Sequence, residues 1–168
     1  MKTLILIRHA KSSWQNETLL DVERPLRRKG EKRTKLIAQH FNNIGLKPDI
    51  ILTSHAERAR QTAFIVAETI GFPKEDIVLE KGLYDTSVSS LNDFLYGIED
   101  NHDTVMIFGH NPELTQLANQ FISKKIDWLP TSGAVSVSFD CEKWNEIPSV
   151  KVIENFIIFP KMIKKSER

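Results

Sequence analysis

The chain has 168 residues, of which 40% are hydrophobic and 27% are charged, with a net charge of +1. This length suits one folded domain whose core needs neither disulfides nor a metal, and the single cysteine, Cys141, excludes an intrachain disulfide. The balanced charge argues against a nucleic-acid-binding protein that depends on bulk charge. Arg8 interrupts the first apolar run, and no run reaches the roughly 18 residues of a membrane span, so we predict a cytoplasmic protein that does not contact a membrane.

Apolar runs alternate with amphipathic stretches along the chain. Short runs rich in β-branched residues predict buried strands, and apolar residues at helical spacing predict helices. The predicted strands are 3–7, 49–53, 76–79, 104–108, 134–139 and 150–158. The predicted helices are 30–43, 56–70, 91–98 and 113–122.

This alternation predicts an α/β fold in which helices cover both faces of a mainly parallel sheet, giving a three-layer α/β/α sandwich. The last two strands alternate apolar and polar residues more clearly, which predicts at least one antiparallel strand near an edge. We expect residues 1–160 to form a single domain and residues 161–168 to form a basic, frayed tail.

Arginines and histidines follow three of the predicted strands. Arg8-His9 follows the first, 54–58 (Ser-His-Ala-Glu-Arg) follows the second, and 109–112 (Gly-His-Asn-Pro) follows the strand 104–108. Because ligands of such sheets bind beyond the carboxyl ends of the strands, we expect Arg8, His9, Arg58 and His110 to meet in one cleft.

Two helices are predicted to begin at the same edge. Ser54-x-x-Glu57 is a capping-box pattern, and Asn111-Pro112 is typical of a helix start. A cation such as Arg58 in the first turn opposes the helix dipole, whereas a bound anion is stabilised there. The cluster therefore predicts a site for a dianion such as phosphate.

Taken singly, these residues also have structural interpretations. Arg58 could be an exposed helix arginine, His110 a hydrogen-bonded core histidine, and His55 a plain residue of the first helical turn. Other phosphate and hydrolase motifs are absent: the P-loop, the G-x-G-x-x-G loop, the Cys-x5-Arg loop, the G-x-S-x-G elbow and H-E-x-x-H. Three strand-end histidines could hold zinc, but the neighbouring arginines would repel a dication, so we predict no metal ion.

Three segments resemble the histidine phosphatase superfamily, which also includes the cofactor-dependent phosphoglycerate mutases. Arg8-His9-Ala10 resembles its R-H-G signature, 54–63 its second-arginine motif, and 109–112 its second-histidine motif. Within the superfamily, the sequence most resembles the branch of small SixA-type phosphohistidine phosphatases. Two segments, 8–14 (R-H-A-K-S-S-W) and 21–30 (D-x-x-R-P-L-x-x-x-G), are similar in kind to that branch. The resemblance extends from about residue 1 to residue 139 and implies a phosphoglycerate-mutase-like fold.

The resemblance implies that neutral His9 attacks phosphorus and becomes a phosphohistidine, without a metal or organic cofactor. Arg8 and Arg58 would lower the pKa of His9 and bind the phosphoryl oxygens, and His110 would donate a further hydrogen bond, most strongly when protonated. Ser12 and Gln15, in the polar loop after the nucleophile, could also contact phosphate, or could belong to a solvated loop.

The sequence departs from the superfamily pattern at two informative places. His55 stands where many relatives have proline, and its role stays open. The larger branches carry a glutamate proton donor in an L-x-E context, and the nearest match here is Leu83-Tyr84-Asp85. Asp85 is therefore either the proton donor or a residue that only caps the turn ahead of the helix 91–98, in which case the chain has no donor of this kind. A phosphoramidate substrate needs a weaker donor than an alkyl ester does, because its P–N bond is more labile.

These observations favour a monomeric, metal-independent phosphatase that acts on a phosphorylated protein, such as one bearing phosphohistidine, or on a small phosphorylated molecule. The alternative is a non-catalytic module of the same fold that recognises phosphate or phosphoproteins. A mutase ranks lower because the chain is short for the insertions that shape mutase pockets.

Overall fold

The computed structural model describes residues 1–166, with side chains through residue 163. The strands are β1 (Lys2–Arg8), β2 (Ile50–Thr53), β3 (Val78–Leu79), β4 (Thr104–Gly109), β5 (Ala134–Phe139) and β6 (Val152–Ile158). The helices are α1 (Arg28–Asn43), α2 (Glu57–Ile70), α3 (Val88–Tyr96), α4 (Glu113–Asn119) and α5 (Pro160–Ser166).

These strands form one sheet in the order β3-β2-β4-β1-β5-β6. The pairs β1–β4, β2–β4 and β2–β3 are parallel, whereas β5 runs antiparallel to both β1 and β6. The predicted mainly parallel sheet with an antiparallel strand near one edge is therefore confirmed.

Each face of the sheet carries its own apolar layer, because successive side chains of a strand point to opposite faces. Leu4 and Leu6 of β1 belong to the layer that includes residues of α3 and α4. Ile5 and Ile7 belong to the other, which includes residues of α1 and α2. The predicted three-layer α/β/α arrangement is confirmed by this division of the core.

The end of the chain differs from the sequence expectation. Residues 161–166, expected to belong to a frayed tail, form α5 together with Pro160, and Ile163 of this helix packs against the layer of α1 and α2. Residues 167 and 168 lie outside the described part of the chain. Among the described helices, none has both the length and the apolar character needed to cross a membrane.

The topology places three strand ends side by side. β4 lies between β2 and β1, with Gly109 level with Arg8 and Phe108 level with Thr53. The residues that follow these strands, His9, Ser54 and His110, therefore emerge together.

The first turn of α1 closes the same edge of the sheet. The amide of Arg27 donates to the carbonyl of Lys11 at 2.8 Å. A Cβ on Gly30 would lie 2.5 Å from that carbonyl oxygen, so only glycine allows this close approach. The helix thus holds the backbone two residues beyond His9.

Candidate active site

His9 and His110 form the centre of the cleft at the strand ends. Their ring centroids lie 5.0 Å apart, and His9 is buried, with 8% of its surface exposed. The sequence prediction that these two histidines meet agrees with this placement. The rings belong to adjacent strand ends, so the sheet itself fixes their separation.

Hydrogen bonding fixes the tautomer of His9. Its Nδ1 lies 2.7 Å from the carbonyl oxygen of Ala10, which only accepts, so Nδ1 carries the proton. The Ala10 amide in turn donates to the Thr62 hydroxyl at 2.9 Å, and this hydroxyl donates to the Arg58 carbonyl at 2.7 Å. In the neutral ring, Nε2 therefore carries the free lone pair, and α2 holds the loop that orients it.

Ser54 contacts His110 and does not cap the following helix. The cap residue of α2 is Ala56, and the predicted capping box is wrong because Glu57 accepts hydrogen bonds from Arg60 and Gln61 instead. The Ser54 hydroxyl accepts from the Ala56 amide at 3.1 Å and lies 2.8 Å from Nε2 of His110. Ser54 thus fixes the orientation of the second histidine.

The second helix start also differs by one residue from the sequence prediction. Pro112, and not Asn111, is the cap residue of α4. The side-chain oxygen of Asn111 accepts from the Thr115 amide at 3.1 Å, and its amide group donates to the Leu129 carbonyl at 2.7 Å. Asn111 therefore secures the loop that carries His110.

Arg58 lies in the first turn of α2, as predicted, but it is buried rather than exposed. Only 7% of its surface is exposed, and its guanidinium donates to both the carbonyl (2.7 Å) and the carboxylate (3.0 Å) of Asp21. This arrangement excludes the interpretation of Arg58 as an exposed helix arginine.

Arg8 is held from the other side of the cleft. It donates to the Leu129 carbonyl at 3.1 Å, and its guanidinium carbon lies 5.5 Å from the ring centre of Trp128. Burial, followed by repulsion from the positive charge of Arg58, lowers the pKa of Arg8.

Both histidines are neutral near pH 7. Burial lowers the pKa of His9 to about 4, opposed by the Ala10 hydrogen bond and helped by the neighbouring arginine charges. The arginines thus act in the predicted direction, but burial is the larger cause. Burial, followed by the charges of His9 and Arg58, lowers the pKa of His110 to about 3. Without an anion, His110 is therefore a neutral hydrogen-bonding group rather than the protonated donor considered from the sequence.

Three residues of this cleft, Arg8, His55 and His110, each carry a buried polar atom without a hydrogen-bond partner. Among the described residues, the buried side-chain nitrogens and oxygens without a hydrogen-bond partner are Arg8 Nε, His55 Nδ1, Asn92 Oδ1 and His110 Nδ1. Leaving such an atom unpaired costs about 1–3 kcal/mol, so their clustering needs an explanation. Two of them, on Arg8 and His110, are nitrogens that a bound anion could satisfy.

Three residues of the cleft were not assigned a role from the sequence: Asp21, Thr62 and Tyr84. Asp21 lies in the motif 21–30, and Thr62 lies in the motif 54–63. Those motifs gave the position of these residues but not their partners, because the contacts span distant parts of the chain. Tyr84 carried no signal beyond its place next to Asp85.

Ser12 lies beside Arg24 and not on a histidine. Arg24 is 7% exposed, and it donates to the Ser12 hydroxyl at 2.6 Å and to the Ser13 carbonyl at 3.0 Å. Its guanidinium stacks on Trp14, 3.1 Å from the ring centre. Gln15 is exposed, and its backbone N–H donates to the Ser13 hydroxyl.

Asp85 is exposed and follows Tyr84, whose ring centroid lies 5.4 Å from that of His110. Its backbone has φ 49°, a left-handed conformation that is uncommon outside glycine but tolerated by aspartate. The cap residue of α3 is Ser87, so Asp85 lies in the turn ahead of this helix and does not cap the helix itself.

His55 lies next to the same tyrosine, with its ring centroid 5.2 Å from that of Tyr84. Within the described residues, no group of three or more His, Cys, Asp or Glu side chains is arranged to hold a metal ion.

Comparison with known proteins identifies the family. The model of the histidine phosphatase superfamily (branch 1) matches residues 4–103. The chain belongs to this superfamily. An uncharacterised protein of Picosynechococcus sp. is 36% identical over 119 residues, covering 68% of this chain and 70% of its own. An uncharacterised chloroplastic protein of Arabidopsis thaliana is 29% identical over 155 residues, covering 86% of this chain and 70% of its own.

A solved structure supports the same fold. The protein histidine phosphatase SixA complexed with tungstate superposes with a TM-score of 0.81 at 19% identity, covering 96% of this chain and 99% of that one. The predicted resemblance to the SixA branch is therefore confirmed at the level of the fold.

Proposed function

We propose that this protein is a metal-independent phosphatase that acts through a covalent phosphohistidine on His9. The observation that carries the proposal is the state of His9: buried, neutral near pH 7, protonated on Nδ1 by its bond to Ala10, and 5.0 Å from His110. A neutral imidazole with a free Nε2 is a nucleophile that needs no separate base.

The first step transfers the phosphoryl group. The lone pair of His9 Nε2 forms a bond to phosphorus while the bond from phosphorus to the leaving group breaks, and the leaving group takes that electron pair and a proton. In the second step, water attacks phosphorus, the N–P bond breaks, and its electrons return to Nε2. Inorganic phosphate leaves and neutral His9 is restored.

Charge stabilisation comes from the two arginines. Phosphoryl transfer is catalysed mostly by positioning and by stabilising charge on the equatorial oxygens. Arg8 and Arg58 supply guanidinium donors, and the unpartnered Arg8 Nε and His110 Nδ1 offer further hydrogen bonds. A bound dianion would also favour protonation of His110, which would strengthen its hydrogen bond.

Asp85 is the proposed acid for the leaving group. An acid must lie beyond phosphorus from His9, toward the open side of the cleft. Asp85 is exposed and adjacent to Tyr84, which contacts His110. The hydrogen bond to Asp21 raises the pKa of Tyr84, and the nearby charge of Asp85 adds to this effect.

The proposed substrate is a phosphorylated protein, including one bearing phosphohistidine, or a small phosphorylated molecule. The structural likeness to a protein histidine phosphatase complexed with tungstate supports this proposal, because tungstate is a tetrahedral oxyanion like phosphate. Ser12, which is bonded to Arg24, and the exposed Gln15 are proposed as further contacts of the substrate. Cytoplasmic location and a monomeric state remain predictions.

The test is hydrolysis of an aryl phosphate and of a phosphohistidine protein with and without EDTA. We expect turnover that EDTA leaves unchanged and that vanadate inhibits, since vanadate mimics the five-coordinate transition state. Loss of activity with EDTA and its recovery with zinc would contradict the metal-independent mechanism. Phosphate binding without turnover of any substrate would identify a non-catalytic phosphate-binding module instead.

A further inference from the structure

Asp21 connects three separate parts of the cleft. Its carboxylate accepts hydrogen bonds from Arg24 at 3.0 Å, from Arg58 at 3.0 Å and from the Tyr84 hydroxyl at 2.7 Å. Its backbone carbonyl accepts a second bond from Arg58 at 2.7 Å. One residue thus ties α2 to the loop after β1 and to the segment before α3.

These bonds determine how Arg58 is presented to a substrate. A guanidinium is planar and has five N–H donors in a rigid fork. Asp21 binds both terminal nitrogens of Arg58, Nη1 through its carbonyl and Nη2 through its carboxylate. Two anchor points fix the plane of the fork, and the remaining donors keep a set direction. A phosphoryl group would then bind to an arginine that is already oriented.

The same carboxylate has an opposing electrostatic effect. Burial raises the pKa of Asp21, but the hydrogen bonds from Tyr84, Arg24 and Arg58 outweigh it and lower this pKa to about 2. Asp21 is therefore ionised across the working pH range. A negative charge that touches Arg58 repels a dianion bound to the same arginine.

We propose that Asp21 is a positioning residue that orients Arg58 for phosphoryl transfer and weakens the binding of the inorganic phosphate product. The proposal rests on the proposed phosphatase function. Orientation benefits the transition state, whose geometry must be met closely, whereas the repulsion acts on any bound dianion. Both effects favour turnover, because phosphate must leave His9 and the arginines before the next substrate binds.

The test compares Asp21→Asn with Tyr84→Phe and with a matched control, Asp103→Asn. Asp103 pairs with Lys2 at 2.8 Å before β4, at the opposite end of the sheet from the cleft. We measure kcat and KM for an aryl phosphate, and phosphate affinity by calorimetry. In Asp21→Asn we expect kcat to fall by roughly 10- to 100-fold, as misplacement of a binding group does, while phosphate binds about 3- to 10-fold more tightly.

The companion variants separate the two effects. Tyr84→Phe keeps the carboxylate but removes one of its bonds, so kcat should fall by a smaller factor while phosphate affinity stays within about twofold. Asp103→Asn should change neither quantity. An unchanged kcat, or phosphate binding that is unchanged or weaker in Asp21→Asn, overturns the proposal. If Asp21→Asn does not fold, an unchanged kcat in Tyr84→Phe overturns it.

Failure of the proposed function gives a different result. A wild-type protein that hydrolyses no phosphate compound would contradict the phosphatase proposal. The calorimetric comparison of wild type with Asp21→Asn would still show whether the Asp21 charge opposes phosphate binding.

Discussion

At the scale of single residues, the bond from His9 to Ala10 determines which nitrogen can react. Nδ1 is committed to a carbonyl, so Nε2 is the only ring nitrogen of His9 with a free lone pair when the ring is neutral. Arg58 is likewise oriented by hydrogen bonds within the protein, because Asp21 holds its buried guanidinium before any substrate binds.

Substrates with different leaving groups test whether Asp85 is the proton donor. If Asp85 protonates the leaving group, Asp85→Asn should slow alkyl phosphate esters by roughly 10²–10⁴-fold, the usual range for general acid catalysis. Aryl phosphates, whose leaving groups need less protonation, should be slowed far less, and phosphohistidine should fall between. Values of kcat/KM for the three substrate classes decide the matter. The same loss for all three would exclude Asp85 as the donor.

At the scale of the elements, α1 supports the loop that follows the nucleophile. Gly30→Ala would place a Cβ 2.5 Å from the Lys11 carbonyl oxygen, so the Lys11 backbone must move. We expect the free energy of unfolding to fall by about 1–3 kcal/mol, as for other overpacked sites, and kcat/KM to fall with it. Urea unfolding and steady-state kinetics measure the two effects.

Gly97→Ala is the matched control for this variant. A Cβ on Gly97 would lie 3.6 Å from its nearest neighbour, an ordinary contact distance. The free energy of unfolding and kcat/KM should both stay close to the wild-type values. Equal losses in the two variants would mean that the close approach at Gly30 has no special role.

The elements also show how far the sequence predicts the structure. Apolar periodicity located all six strands and the helices α1 to α4, because the core requires those side chains to point inward. The capping-box pattern was misleading at Ser54, whose hydroxyl lies against His110 instead of capping α2. His110 follows β4, which lies next to β2 only in the folded protein. Apolar periodicity also missed α5, whose apolar residue Ile163 packs against a layer of the core that is distant in sequence.

The candidate site was predictable in part, because the positions of the strand ends follow directly from the order of the elements. Arg8, His9, Arg58 and His110 could therefore be grouped from the sequence alone. Asp21 and Tyr84 could not, because 63 residues separate them and their hydrogen bond depends on side-chain placement.

At the scale of the whole molecule, the two buried histidines make stability depend on pH. Their folded-state pKa values, about 4 for His9 and about 3 for His110, lie below the unfolded value of 6.5. At pH values between the folded-state pKa of each histidine and 6.5, the unfolded chain binds protons that the folded protein does not. Stability is therefore greatest above pH 6.5 and falls as the pH drops toward 4, by at most about 1.4 kcal/mol per pH unit for each histidine.

Urea unfolding at pH 7, 6 and 5 tests this dependence. The double variant His9→Gln, His110→Gln should lose less stability than the wild type over this range, because glutamine does not titrate. The Asp21 ion pairs do not interfere, since the pKa of Asp21 is about 2. An equal loss in both proteins would contradict the inferred neutral, buried state of the histidines.

The central claim is that His9 carries the phosphoryl group during turnover. The most direct measurement is mass spectrometry of protein that has been mixed rapidly with an aryl phosphate and denatured in alkali, in which phosphohistidine survives. We expect one phosphoryl group per chain, located on His9. In His9→Ala we expect no adduct, and turnover reduced by at least about a thousandfold. The control His40→Ala, on α1, should behave as the wild type. An adduct on another residue, or turnover by His9→Ala within a few-fold of the wild type, would show that His9 is not the nucleophile.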